Sequence, residues 1–337
     1  MPQTGILPDH QIQTLWDEGA ISAAIVPVRD QIQPASADLR LGLRAYRLRA
    51  SFLPGPERTV ADCLEGSDLV MHTLDLSEGA VLETGCVYLV PLQEALALPG
   101  DISAAMNPKS STGRLDVFTR VICDRSAAFD QAPAGYEGPL YVEICPRTFS
   151  ILVRPGDRLV QVRFRSGERA PTRDLTVSVD LQTADGPVGY RARRFSGVVD
   201  LAGVGAHDPA NYWEPIHAPG GRLVLDPGEF YILASREAVE IPMTEAAEMA
   251  PIAPEIGEFR AHYAGFFDPG FGLAEAGGTG GRAVLEVRGR DVPFLIEHGQ
   301  PVARLVFEPM TDQPSRPYGA AGSHYQAQKL KLAKHFR

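Results

Sequence analysis

The sequence predicts a mostly β protein made of two tandem barrel or jelly-roll domains with a few short helices, and three observations lead there. Leu82-Glu83-Thr84-Gly85 through Pro99 to Met106 aligns without a gap on Leu225-Asp226-Pro227-Gly228 through Pro242 to Met249, a constant displacement of 143 positions. The same offset pairs Glu143 with Glu286, Gly156 with Gly299 and Phe164 with Phe307, so the match survives across about 80 positions. Solenoid repeats run to about 20 to 50 residues, so a duplication of this length implies two units, each with its own core. The second observation is the punctuation: 33 Gly and 28 Pro fit many tight turns between short strands. The third is that helix signals are scarce beyond the first twenty or so residues.

Taken in order, Ile12, Leu15 and Trp16 share one helical face after Pro8-Asp9, and Gly19 supplies a stop, so the chain should open with a short helix. Strands follow at Val87 to Leu92, Val117 to Ile122, Leu140 to Ile144, Ile151 to Val153 and Leu159 to Phe164. Asp101 to Met106 reads as a short helix-like turn. The first copy ends near Gly167, and the polar stretch from Thr172 to Asp200 opens the second, which divides the chain into domains 1–170 and 171–337. The tail from Pro317 to Arg337 has no equivalent after the first copy. Tyr318, His324, Tyr325, Gln328, Lys329, Lys331 and Lys334 give it stacking surface and positive charge, and a segment of this kind often folds over a site only when ligand is bound.

Composition removes several function classes. A net charge of −10 opposes broad binding to nucleic acid or anionic membrane, which need a basic surface, though it leaves room for a local basic pocket. No apolar stretch reaches about 18 residues, and the N-terminus lacks a basic region followed by an apolar run, so a cytoplasmic protein is expected. Cys63, Cys86, Cys123 and Cys145 are far apart, which suits free thiols rather than a disulfide frame or a metal knuckle. The eight histidines fall in none of the His-x-His, His-x-Glu or His-Glu-x-x-His patterns, and the zinc-deaminase, nucleophile-elbow and dinucleotide-binding signatures are absent.

The strongest local signal is Lys109-Ser110-Ser111-Thr112-Gly113-Arg114. Two cations bracket hydroxyls and a glycine, an arrangement that can hold phosphate oxygens or can be a solvated polar turn. At the same offset the second copy reads Ile-Ala-Pro-Glu-Ile-Gly over 252–257, without cations or hydroxyls. Glu143 sits in a strand whose alternation places Leu140, Val142 and Ile144 on one face and Tyr141, Glu143 and Cys145 on the other. It is either a solvent-facing carboxylate or a partly buried one, raised in pKa toward acid–base use. The repeat retains it as Glu286, which marks a structural carboxylate in both copies or a second copy that lost its other site residues first. Asp130 and Asp268 occupy matching turns, where each can close the turn on its own backbone or accept a hydrogen bond from a sugar hydroxyl.

Together these motifs resemble those of the dCTP deaminase family, of the trimeric dUTPase-like fold, in its tandem, double-length bacterial form. Ile32-Gln33-Pro34-Ala35-Ser36-Ala37-Asp38-Leu39-Arg40-Leu41-Gly42 looks like that family's N-terminal strand signature. Lys109 to Arg114 is similar to its Arg-Ser-Ser-x-x-Arg substrate loop, with Lys replacing the first Arg; Asp130 matches its Ile-Asp-Pro-Gly turn, here lengthened by Gln131 to Ala134, and Glu143 matches its catalytic glutamate. Tyr318, His324 and Gln328 fall where the family's tail presents Tyr, Lys and Gln to the triphosphate, with His324 replacing the lysine.

The resemblance implies hydrolytic deamination of dCTP to dUTP and ammonia, with Glu143 as general acid and base and Ser111 and Arg114 completing the catalytic group. Lys109, Ser110, Thr112, Gly113, Asp130, Tyr141, Val142, Tyr318, His324 and Gln328 would join Ser111 and Arg114 in holding the nucleotide. It further implies Mg²⁺ carried by the triphosphate, no zinc, a homotrimer with composite sites, and dTTP as a feedback ligand. The alternatives are a dUTPase or a bifunctional enzyme that continues to dUMP, and a nucleotide-binding regulator without catalysis.

Overall fold

The computed structural model describes residues 4–28, 30–65, 68–183, 186–252, 260–261, 265–274, 280–289, 291–320, 325–326 and 329–337. Strands dominate, and the α-helices among the described residues are the short segments Asp9–Asp17, Val60–Glu65 and Ser110–Gly113. The opening helix buries Ile12 and Leu15 and stops before Gly19, whose φ of +82° glycine adopts without steric cost. The strands expected in the first copy are present as Val87–Ala97, Val117–Cys123, Glu137–Pro146, Ile151–Val153 and Val160–Ser166. One expectation is corrected. Residues 101–106 are not a helix-like turn: Asp101 ends a turn and the rest belong to the strand Ile102–Pro108, because Ile102, Ala104 and Met106 alternate into the core while the strand pairs along Val160–Ser166.

In the first copy one sheet runs Gln131–Ala132, Ile102–Pro108, Val160–Ser166, Ser36–Leu39, Ile32–Gln33. The sheet packed on it runs Val117–Cys123, Glu137–Pro146, Val87–Ala97, Arg44–Leu48, Val70–Asp75. The second copy repeats the plan, with Arg173–Ser178, Pro301–Pro309, Glu245–Pro251, Phe266–Phe267 in one sheet and Trp213–Ile216, Gly189–Ala192, Phe230–Val239, Gly281–Arg288, Arg260–Ala261 in the other. Val90, Met106, Val142, Val162 and Phe164 fill the first core, and Leu233, Leu285, Val287, Leu305 and Phe307 fill the second. Each such side chain adds about 1.5–3 kcal/mol by leaving water.

The two units are less independent than a simple duplication implies. Trp213, Val284 and Phe336, all from the second half, pack into the first core. The strand Gly5–Ile6 pairs with Arg165 and Ser166, and the Ile6 carbonyl also accepts the Thr311 N–H at 2.9 Å, so the N-terminus ties the two copies together. Cys63, Cys86, Cys123 and Cys145 are thiols not joined to one another in disulfides. Among the described residues no helix is long and apolar enough to cross a membrane.

Candidate active site

Strand alternation explains how a carboxylate of the second copy meets the loop of the first. Along Gly281–Arg288, Ala283, Leu285 and Val287 fill the second core, so Val284, Glu286 and Arg288 project from the opposite face. The first copy covers that face. Val284 enters the first core, Glu286 Oε1 lies 3.9 Å from Arg114 Nε, and Arg288 pairs with Asp116 and donates to Thr148 Oγ1 at 3.0 Å.

The loop that carries Arg114 is wound tightly. The Thr112 and Gly113 amides both return to the Lys109 carbonyl, at 2.8 and 3.0 Å, and Thr112 Oγ1 donates to the Leu159 carbonyl at 2.7 Å. Arg114 is thereby turned inward and is 2% exposed. Its Nη1 donates to the Lys331 carbonyl at 3.0 Å, and its guanidinium stacks 4.0 Å from the centre of the Tyr325 ring. Ser110, Arg114, Asp268, Glu286, Tyr318 and Tyr325 then line one cavity of about 40 Å³, walled by Met249, Phe266 and Phe271.

Burial sets the electrostatics of this cavity. Loss of solvent pushes the Glu286 carboxyl up to about 8, the Arg114 guanidinium opposes the rise, and Asp116 adds to it. Asp268 is also raised by burial, against the pull of Arg163 at 2.9 Å and Ser36 at 3.3 Å. A carboxyl group poised near neutrality beside a fixed guanidinium can both accept and return a proton.

Glu143 was expected beside the loop, and within this chain it is elsewhere. The face of its strand that carries Tyr141 and Glu143 is covered by an excursion of its own copy: Phe52 and the helix Val60–Glu65 pack with Leu89, Ile122 and Tyr141. Glu143 is 3% exposed, and its Oε2 has no hydrogen-bond partner among the described residues. Burial raises its pKa, and Ser51 and Arg120 counter the rise. Asp130 belongs to the same neighbourhood, accepting the Val121 N–H at 2.7 Å and lying 3.7 Å from Arg120. Val142 points the other way, into the first core. The expected group therefore separates: Glu143, Asp130, Tyr141 and Val142 do not line the cavity that Ser110 and Arg114 line.

The loop also has two sides. Lys109, Ser111 and Thr112 line a second cavity of about 220 Å³ together with Arg158, Lys334 and His335. Ser110 therefore shares a cavity with Glu286, while Ser111, expected in the catalytic group with Glu143, lines the other one, because the turn Ser110–Gly113 rotates successive side chains by about 100°. Lys109 pairs with Asp38, which Arg158 also holds at 3.2 Å, and Gly113 is buried inside the turn. Tyr318 does line the carboxylate cavity, its N–H bonded to the Pro269 carbonyl at 2.8 Å and its ring 5.7 Å from Phe271. His324 and Gln328 lie outside the described residues. The far end of the tail is anchored by Phe336, which packs against Trp213 at 5.9 Å and Tyr212 at 5.3 Å between ring centres. Asp116, Arg163 and Arg288 carry no sequence signal; Glu286 is reachable through the constant offset, and Asp268 through its turn, which matches that of Asp130.

Comparison with known proteins identifies the family. The family model described as 2'-deoxycytidine 5'-triphosphate deaminase (DCD) N-terminal domain matches residues 3–168, and that of the C-terminal domain matches residues 157–336. A crystal structure of 2'-deoxycytidine 5'-triphosphate deaminase from Agrobacterium tumefaciens superposes with a TM-score of 0.87 at 54% sequence identity, covering 91% of this chain and 99% of that one. The dCTP deaminase of Haloarcula marismortui is 32% identical over 168 residues, 47% of this chain and 79% of that protein. A dUMP-forming dCTP deaminase of Methanobrevibacter smithii is 30% identical over 168 residues, 48% of this chain and 80% of that protein. With both of its halves matched and a tandem dUTPase-like fold throughout, the chain belongs to the dCTP deaminase family.

Proposed function

We propose that this chain deaminates dCTP hydrolytically to dUTP and ammonia, at a site built from the loop of its first copy and from the strand, turn and tail of its second. The observation that carries the reading is the meeting of Ser110 and Arg114 with Glu286 in one desolvated cavity. Glu286 takes a proton from water as the water oxygen bonds to C4 of cytosine and passes it to the ring nitrogen; it then takes the proton of the new C4 hydroxyl and delivers it to the amine, which leaves as ammonia as the C4–N bond breaks and the C4 carbonyl forms. The Ser110 hydroxyl orients the water, and Arg114 holds Glu286 in place and offsets negative charge as it develops. Asp268 accepts a hydrogen bond from a sugar hydroxyl, Tyr318 borders the nucleoside, and Lys109 with Ser111 reaches phosphate oxygens on the far side of the loop.

Mg²⁺ would arrive with the triphosphate, whose charge it neutralises. Assembly as a homotrimer, a cytoplasmic location and dTTP as a feedback ligand complete the proposal. The dUMP-forming relatives favour one further reading, cleavage of the product to dUMP at the same site. Incubation with dCTP and Mg²⁺, with ammonia and pyrophosphate quantified separately, distinguishes them. Ammonia without pyrophosphate is expected; pyrophosphate in step with ammonia selects the bifunctional reading, and nucleotide binding without ammonia selects a regulator.

The acidity of Glu286 also fixes a pH dependence. The base must be ionised before water attacks, and in the free enzyme burial holds this carboxyl up to about 8. Below that value kcat/KM should rise about tenfold per pH unit and level off as the pH passes through it. A profile of kcat/KM for dCTP from pH 5.5 to 9.5 checks this, and a limb near pH 4 to 5, the range of an ordinary glutamate, contradicts it.

A further inference from the structure

Asp130 and Asp268 occupy matching turns of the two copies, yet their cations come from different places. Asp130 has Arg120 of its own copy, partly exposed and 3.7 Å away. Asp268 has Arg163, which reaches across from the strand Val160–Ser166 of the other copy, and both side chains are buried. The 143-residue offset carries Arg163 onto Val306, so only one copy owns this guanidinium. We infer that Arg163 is a positioning residue for the substrate site, holding the Asp268 carboxylate from behind so that it presents an acceptor to the sugar of the nucleotide. The inference rests on the reading of Asp268 given above.

The geometry fixes the Arg163 guanidinium against Asp268. Its Nη2 donates to Asp268 Oδ1 at 2.9 Å and to the Phe267 carbonyl at 3.3 Å, its Nη1 to the Ala247 carbonyl at 2.9 Å, and its Nε to the Ala35 carbonyl at 3.3 Å. The guanidinium also lies 4.0 Å from the centre of the Phe266 ring, and Phe266 and Phe267 both border the cavity. A planar fork gripped from several sides has one orientation, and Arg163 itself does not line the cavity. Ser36 Oγ meets the other carboxylate oxygen at 3.3 Å, so donors from the first copy address both oxygens from behind. Each oxygen has a second lone pair, which leaves acceptor capacity for a hydroxyl entering from the cavity. Lose the guanidinium, and a carboxylate at this depth is uncompensated; it must turn away or take up a proton.

A kinetic double-mutant cycle on the full chain tests this, with kcat and KM for dCTP and thermal midpoints measured for Asp268→Asn, Arg163→Met, Arg163→Lys and the Asp268→Asn/Arg163→Met pair. Asp268→Asn is expected to raise KM about tenfold with a smaller change in kcat, and Arg163→Met to do the same. The pair should be no worse than the poorer single variant, since both changes act through one carboxylate, and Arg163→Lys should recover part of the lost affinity. Multiplying KM effects in the pair overturn the inference. An unchanged KM in Asp268→Asn sinks the reading of Asp268 as a substrate contact, and this inference with it. Should Arg163→Met fail to fold, the lysine variant decides: a KM shift at near wild-type kcat supports positioning, and wild-type KM with only a lowered thermal midpoint overturns it.

Discussion

Glu286→Gln is expected to lower the rate of ammonia release from dCTP by about a thousandfold or more, while Glu143→Gln stays within about threefold of the parent. Gln keeps the shape of the neutral carboxyl that burial favours near pH 7, so the strand Gly281–Arg288 and its contact with Arg114 should persist. What Gln cannot do is accept a proton from water. Nucleotide binding, followed by calorimetry, should therefore remain measurable. Glu143 is also buried, but it faces Ser51 and Arg120 beneath its own copy's Phe52 and Val60–Glu65 helix, away from the loop. Reversed effects of the two substitutions would return the chemistry to the first copy.

Arg114→Met is expected to cut kcat/KM for dCTP by about a hundredfold or more, on the scale of removing one fixed donor from a desolvated site. Arg114 serves three partners at once: it faces Glu286, donates to the Lys331 carbonyl, and supports the Tyr325 ring. Met retains much of the apolar stem, so the loss is one of charge and direction rather than of volume. Leaving the Lys331 carbonyl without this donor should also cost about 1–3 kcal/mol, visible as a lower thermal midpoint. Because Arg114 and Glu286 meet within one chain, co-expressing Arg114→Met with Glu286→Gln should restore no activity. Recovered turnover in the mixture means that the loop and the carboxylate come from different chains.

Much of the fold was legible because duplication and turn punctuation are local, cumulative signals. Leu140, Val142 and Ile144 do face the core, and Ile12 and Leu15 do anchor the opening helix. The site was half legible. Lys109 to Arg114 stood out because the second copy lacks its chemistry, but the partner of that loop depends on which barrel face it docks against, and no local pattern encodes that. The same strand alternation exposes Glu143 in one copy and Glu286 in the other. An excursion through Phe52 covers the first, and the loop of the neighbouring copy covers the second. Ser110 and Ser111 were inseparable for a related reason: which hydroxyl points at the carboxylate is set by the rotation of the short turn Ser110–Gly113. Arg163 gave no signal, since a lone arginine in a strand reads as an exposed charge until the second copy closes over it.

The most direct test of a site assembled from both copies of one chain is a crystal structure of Glu286→Gln with dCTP and Mg²⁺ bound. The cytosine amine is expected within hydrogen-bonding reach of position 286 and Ser110, with Arg114 alongside and the phosphates running toward Lys109. Cytosine seated against Glu143 and Arg120, with position 286 away from any nucleotide, would contradict it.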